Sequence, residues 1–244
     1  MISVPENFVF YENSLYIKNL ETLVIADLHI GLEYELNEMG IQIPLYEEKI
    51  LKNRLEKIFK KFKPKITVLN GDILHSFSSL HFKIKNEFKN IINYISKFSK
   101  KLIFLKGSHD TFLEKLVIPE DFKGNFYNLN DILFTHGNQN FELNKIKNKN
   151  IHYIILGHEH PCVELNMEKF HCFLYYEDKI KKLNYLILPA FNPLIEGVIL
   201  NDQVFISPII EYLSPNLFIP IITYEEELLI FPSINKIKEL EWDL

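Results

Sequence analysis

Residues 22–31 read Thr22-Leu23-Val24-Ile25-Ala26-Asp27-Leu28-His29-Ile30-Gly31. A short apolar run, rich in branched side chains, stops abruptly at an Asp-x-His motif. Such a run has the length and composition of a buried strand. The motif therefore falls where a strand leaves its sheet, the edge at which open α/β sheets bind ligands. The same junction recurs: ITVLN before Gly71-Asp72, LIFLK before Gly107-Ser108-His109-Asp110, DILFT before His136-Gly137, and YIILG before His158-Glu159-His160. Five exits carrying carboxylate and imidazole groups predict one metal centre assembled from distant parts of the chain.

The residue types suit that reading. Asp27 and His29 are two apart, so extended backbone past Ala26 would point both side chains the same way. His158 and His160 repeat the spacing. Asp72 offers two oxygens that can bridge two cations, and His136 adds a further nitrogen. Mixed Asp and His ligation suits Mn, Fe or Zn rather than Ca. Two such ions roughly 3.5–4 Å apart can activate a water and clamp an in-line phosphoryl displacement. Of the eight glycines, Gly31, Gly71, Gly107, Gly137 and Gly157 all touch these junctions. Gly and Asp are ordinary turn residues, which accounts for one junction. It does not account for five of the nine histidines at one edge.

Around the motifs the first half alternates strand and helix. Phe8 to Ile17 predicts a hairpin about Asn13-Ser14. Helices are expected from Gly31 to Gly40, from about Pro44 to Phe62 with Leu45, Ile50, Leu51, Leu55, Ile58 and Phe59 on the apolar face, and over Ile84 to Phe98. Strands fall at Thr22 to Ala26, Ile66 to Leu69 and Leu102 to Leu105. Alternation of this kind implies a parallel sheet with crossover helices. The second half is mostly strand-like, at Phe126 to Phe134, Tyr153 to Leu156, Phe170 to Tyr176, Tyr185 to Leu188, Gly197 to Leu200 and Leu228 to Phe231. Its helical signal is weak. No linker, repeat or low-complexity stretch interrupts the chain, so residues 1–244 are expected to form one domain.

Composition narrows the function classes. The 47% hydrophobic and 24% charged shares are those of a globular chain. A net charge of -5 and a pI of about 6.0 give no broad basic field for nonspecific duplex binding. Arg54 is the only arginine among 27 basic residues. Arg is the usual bidentate fork for phosphate, so metal ions are expected to hold any phosphate instead. Cys162 and Cys172 make no disulfide framework and read as small buried hydrophobes. The opening residues lack a signal peptide's basic start and apolar core. No apolar stretch reaches the roughly 18 residues of a spanning helix. A cytoplasmic setting without membrane partners is the expectation.

D-x-H, G-D, G-x-H-D, H-G and G-H-x-H, in this order, resemble the calcineurin-like metallophosphoesterases from about Asp27 to Pro161. GDILHSF and PAFNPLIEG further resemble the archaeal SbcD-related phosphoesterases, which are similar to bacterial phosphoesterases associated with DNA ligases. The resemblance implies a four-layer αββα sandwich, with two mixed sheets flanked by helices. It implies hydrolysis of a phosphoester by a metal-bound hydroxide, leaning to phosphodiester, nucleic-acid or nucleotide substrates. Position by position, Asp27, His29 and His160 would bind one metal and Asp72 would bridge. His136 and His158 would bind the second. His109 would protonate the leaving oxygen or stabilise the phosphate, and Asp110 would orient His109. The ions would be divalent transition metals, manganese first, with iron, zinc or nickel as alternatives. Ser108 stands where the family has a ligating Asn, so the second ion is expected to bind more loosely.

Two other functions compete. One is a small-molecule phosphomonoester or nucleotide phosphatase. The other is a scaffold that kept the sandwich and lost catalysis, for which Ser108 is the only feature. His75, three residues past Asp72, is either a substrate-phosphate contact or an ordinary loop histidine. Asn192 either lines the substrate side or forms a turn with Pro193. His81 and His152 read as surface residues. His171 with the two cysteines fits no standard zinc spacing.

Overall fold

Alternate residues of the buried runs face two different cores, and that alternation builds the architecture. The structure is a computed structural model that describes residues 4–75, 81–140, 150–165, 168–199, 205–224 and 227–241. The first sheet contains β1 (Phe8–Tyr11), β2 (Ser14–Ile17), β3 (Thr22–Ile25), β4 (Ile66–Asn70), β5 (Lys101–Leu105) and β6 (Phe122–Gly124), paired in that order. β1 to β3 run antiparallel and β3 to β6 parallel. The parallel strands are joined through α1 (Leu32–Glu38), α2 (Glu47–Lys61) and α3 (Phe82–Ser96). In β3, Leu23 and Ile25 pack under the helices, while Val24 and then Ala26 face the second sheet. Val68 and Leu69, and Ile103 and Phe104, divide the same way.

The second sheet draws on β7 (Phe126–Leu129), β8 (Ile132–Thr135), β9 (Tyr153–Leu156), β12 (Phe173–Asp178), β13 (Leu183–Ile187), β15 (Ile219–Tyr224) and β16 (Glu227–Ile230). Their order is β16-β15-β12-β13-β9-β8-β7. β8, β9 and β13 are parallel and the other neighbours antiparallel. β10 (Pro161–Leu165), β11 (Glu168–His171) and β14 (Val198–Ile199) form a small third sheet. Phe134, Ile155 and Leu186 meet the first sheet, and Leu133, Ile154 and Ile187 point outward. The outward core is closed by Phe205, Ile209, Ile210, Leu213 and Phe218 from turns, and by Ile234 of α4 (Ile234–Glu241). The sandwich therefore has the expected four layers, but turns and one short helix make up most of the fourth.

Several boundaries differ from expectation. The hairpin turn is Glu12-Asn13, at φ 48° and 56°, one residue earlier than predicted. Paired left-handed residues match the twist of two short strands. α2 begins at Glu47, so Leu45 and Ile50 are exposed and its apolar face is Leu51, Leu55, Ile58 and Phe59. The single strand expected over Phe170 to Tyr176 is two strands, broken at Cys172, whose N–H donates to the Pro161 carbonyl. β15 was hidden by Pro220, since proline inside a run argues against an internal strand. Pro220 keeps a ladder role as acceptor, from the Phe231 N–H at 3.0 Å.

Candidate metal centre

The expected geometry of the ligand pairs is wrong in one respect. β3 ends at Ile25, and Asp27 and His29 are left-handed rather than extended, at φ 57° and 44°. Asp72 (46°), His158 (73°) and His160 (44°) share that conformation. Asp, Asn and His visit it more readily than other non-glycine residues, yet it opposes strand continuation. Backbone bonds across the two exits hold it in place. Asp27 N–H donates to Gly71 O (3.1 Å), His29 N–H to Asp72 O (2.9 Å) and Ile30 N–H to Ile73 O (2.9 Å). Phe191 and Asn192 close the other side, donating to Ala26 O and Asp27 O.

The donor atoms nevertheless converge. Asp27, His29 and His160 form one trio and Asp72, His136 and His158 another, each with its ligand atoms within 4.8 Å of one another. His160 Nε2 lies 3.1 Å from Asp27 Oδ1 and 3.3 Å from His29 Nε2. Asp72 Oδ2 lies between the trios, 3.2 Å from His136 Nε2 and 3.9 Å from His29 Nε2. Asp27, His29, Asp72 and His136 are buried, from three segments of the chain.

A cation fits this arrangement. His136 Nδ1 faces the Asn70 carbonyl at 3.1 Å, and donation there leaves a lone pair on Nε2. Nε2 is buried without a hydrogen-bond partner and faces a carboxylate oxygen. Only a proton or a metal ion relieves two facing lone pairs. Burial alone would strip the His136 proton, but Asp72 and Asp27 hold it, pushing the imidazole up to about 9. Burial dominates at His29 and His158, bringing them down to about 3 and about 4, so both stand neutral, whereas Asp27 holds His160 above its ordinary value against burial. Burial would raise Asp72, but His136, His29 and the His109 N–H pull it well below the carboxylate range. Burial also opposes Asp27, which His160 and His136 still pull down.

Around this centre, His109 is half-buried and stacks on His75 at 4.6 Å, with Nε2 3.7 Å from Asp72 Oδ2. Ser108 Oγ donates to Asp72 Oδ2 at 3.0 Å, and the His109 N–H donates to Asp72 Oδ1 at 2.8 Å. Asp110 does not face the His109 ring as expected. Its Oδ1 accepts from the Ile73 and Leu74 N–H groups (2.9 and 2.8 Å) and its Oδ2 from the Gly107 N–H (2.9 Å). Three converging amides satisfy a wholly buried carboxylate, which burial still pushes up to about 7. His75 turns Nδ1 to His29 Nδ1 at 2.9 Å and Nε2 to Glu35 Oε2 at 3.3 Å. Asn192 is buried, donating from Nδ2 to Leu28 O (2.9 Å) and Glu47 Oε1 (2.5 Å), and its Oδ1 accepts from the Leu194 N–H. That is a turn and a strut rather than a cleft wall.

Sequence reasoning passed over Glu35, Asn70 and Glu159. Asn70 joins the two sheets, its Nδ2 donating to Thr135 O at 3.0 Å. Glu159, between two ligand histidines, accepts from the Ser207 N–H at 2.7 Å. Its place inside His158-Glu159-His160 was the only signal. His81 and His152 are exposed, as expected. Cys162 and Cys172 are buried free thiols, both pushed up by burial. Gly107 is required on steric grounds, since a Cβ there would collide with the Asp72 carboxylate and N–H.

Two imidazole-carboxylate trios lie side by side at the strand exits of a two-sheet sandwich, with Asp72 of one 3.9 Å from His29 of the other, an arrangement that fits the class of metal-dependent phosphoesterases. The sequence profile of the calcineurin-like phosphoesterases matches residues 20–203, and the chain belongs to that family. A nuclease of Pseudomonas putida, MPE, shares the fold at a TM-score of 0.58 and 17% identity, over 86% of this chain and 88% of the nuclease. Yfce, a phosphoesterase from E. coli, aligns at a TM-score of 0.43 and 12% identity, over 88% of this chain and 93% of Yfce. No curated protein sequence matches. No described helix is long and apolar enough to cross a membrane.

Proposed function

We propose that the chain hydrolyses phosphodiesters with two divalent transition ions, manganese by preference, leaning to nucleic-acid or nucleotide substrates. The convergence of the two trios on Asp72 is the observation that supports this reading. Asp27, His29 and His160 would hold one ion, His136, His158 and the Ser108 hydroxyl the other, and Asp72 would be shared. Bound ions of this kind supply an acidified water and offset charge on the transferring phosphoryl group. His29, neutral through burial, presents Nε2 to its ion, and His75 with Glu35 keeps the ring in place from behind. His136, held protonated by Asp72 and Asp27, would have to lose that proton to serve as a ligand.

His109 is the catalytic acid. Burial holds it below its ordinary value, so it rests neutral, and an anionic phosphate beside it favours the protonated form. The proton on Nε2 then passes to the departing oxygen. Asp110 acts as a positioning residue, pinning the 107 and 73–74 amides and thereby the turn that carries His109. The diester preference rests on the resemblance of GDILHSF and PAFNPLIEG to the SbcD-related group. A nuclease with the same fold supports it. Residues 76–77 of the first stretch lie outside the described residues. Two buried free thiols suit a reducing, cytoplasmic compartment.

The test is metal content by mass spectrometry, then manganese-supported cleavage of a model diester, a model monoester and single-stranded DNA. Diester and DNA cleavage above monoester cleavage is the expected result. Asp72→Asn should lose more than about 100-fold, beyond the 10–100-fold typical of groups behind a ligand. Unchanged activity in Asp72→Asn would remove the bridging role. A faster monoester would point to a phosphatase.

A further inference from the structure

A second cluster lies away from the histidines. Glu33 of α1, Glu47 at the start of α2 and Glu87 of α3 are 2%, 1% and 2% exposed. One oxygen of each lies within 4.8 Å of the others. Glu33 Oε2 accepts from the Tyr46 and Glu47 N–H groups, at 2.8 and 2.9 Å. Glu47 Oε2 accepts from the Gly31 N–H at 2.8 Å and its Oε1 from Asn192 Nδ2 at 2.5 Å. Burial outweighs the donors at Glu47 and pushes its carboxyl up to about 7, although the Gly31 and Asn192 hydrogen bonds favour the ionised form.

Glu87 is different. Both of its oxygens are buried and neither receives a hydrogen bond from a donor group among the described residues; the one hydrogen bond open to it is to the Glu47 carboxylate, and only when Glu87 itself carries a proton. Burial, repulsion from Glu47, Glu33 and Glu48, and the hydrogen bond that its protonated form makes to Glu47 together push it up to about 9. A buried carboxylate facing two others without a donor is strongly unfavourable unless something positive lies between them. One proton on Glu87 would be shared with Glu47 and would leave the Glu33 and Glu47 charges facing each other with no cation between them. A divalent ion answers all three. The donors are oxygen only, without imidazole or thiolate, which selects a hard ion rather than zinc or copper.

We propose that Glu33, Glu47 and Glu87 bind a hard divalent cation of the calcium or magnesium class, tying α1, α2 and α3 together. The site is separate from the histidine centre but braces it. Glu47 grips the Gly31 N–H, and Asn192 links Glu47 to the carbonyl of Leu28, between Asp27 and His29.

Calcium is the probe, added to the full chain already saturated with manganese. Calorimetry should show uptake of one calcium per chain. At 100 times Kd the Tm should rise by about 5 to 10 °C. Glu87→Gln should lose both effects while keeping its manganese. Terbium luminescence gives a readout that needs no change in the triad. Tyr34, whose phenol is raised by burial and by the charges of Glu87, Glu33, Glu47 and Glu48, is the sensitiser beside the triad, so Tyr34→Phe should remove much of the signal. Wild-type protein that takes up no calcium, or a Glu87→Gln variant that responds equally, would overturn the site and leave a shared proton as the explanation. A terbium signal untouched by Tyr34→Phe would place the ion elsewhere and also overturn it.

Discussion

Two substitutions separate steric from ligand effects at the histidine centre. Gly107 carries no left-handed strain, so an added methyl acts only by colliding with Asp72. Gly107→Ala should weaken manganese binding by more than about tenfold, in the range typical of groups that orient ligands. Gly124→Ala, at φ 71° but with nothing within 4 Å of the added Cβ, should strain only its own turn and leave manganese binding unchanged. Ser108 poses the opposite question. Its hydroxyl is turned to Asp72, which leaves the second ion the poorer donor set. Calorimetric titration should resolve one tight and one weaker manganese, and Ser108→Asn should tighten the weaker one. Two equally tight sites in the unaltered chain would refute this. The residue types at the strand exits were legible because Asp, His and Gly are rare company for an apolar run. Their backbone was not, because Asp27 and His29 take a conformation set by neighbouring loops 71–74 and 191–192, far off in sequence.

Secondary structure was legible where burial is periodic. β3, β4 and β5 alternate between two cores, and α2 and α3 bury one stripe each. β15 was not, because Pro220 mimics a breaker while still accepting a ladder bond. The short strands β10, β11 and β14 depend on one another rather than on their own pattern. β8 illustrates how an element serves the centre. Phe134 lies fully buried between the sheets, two residues before His136. Phe134→Ala should cost about 3–5 kcal/mol in denaturant unfolding, the usual range for losing a buried ring. A loss below about 1 kcal/mol would mean that the two sheets close over the gap.

The complete molecule should couple metal and stability. A ligand that binds only the folded chain stabilises it in proportion to the logarithm of its concentration. Chelator should therefore lower the Tm, and manganese should restore it in the wild type but not in Asp72→Asn. The thiols offer a check on closure of the second half. Cys162 and Cys172 are buried and protonated, so a thiol reagent at pH 8 should modify neither in the folded chain and both after denaturation. The layered sandwich was legible from the order of elements. The composition of its outer layer was not, because Phe205, Ile209 and Phe218 cover the second sheet from turns without helical periodicity.

Asp27, His29, Asp72, His158 and His160 all take a backbone shape that glycine would adopt more comfortably, at an expense of order 1 kcal/mol or more apiece. The chain thus sacrifices robustness where its chemistry resides. If these five residues hold metal as proposed, a lineage released from that duty should drift toward glycine at them and melt later for it.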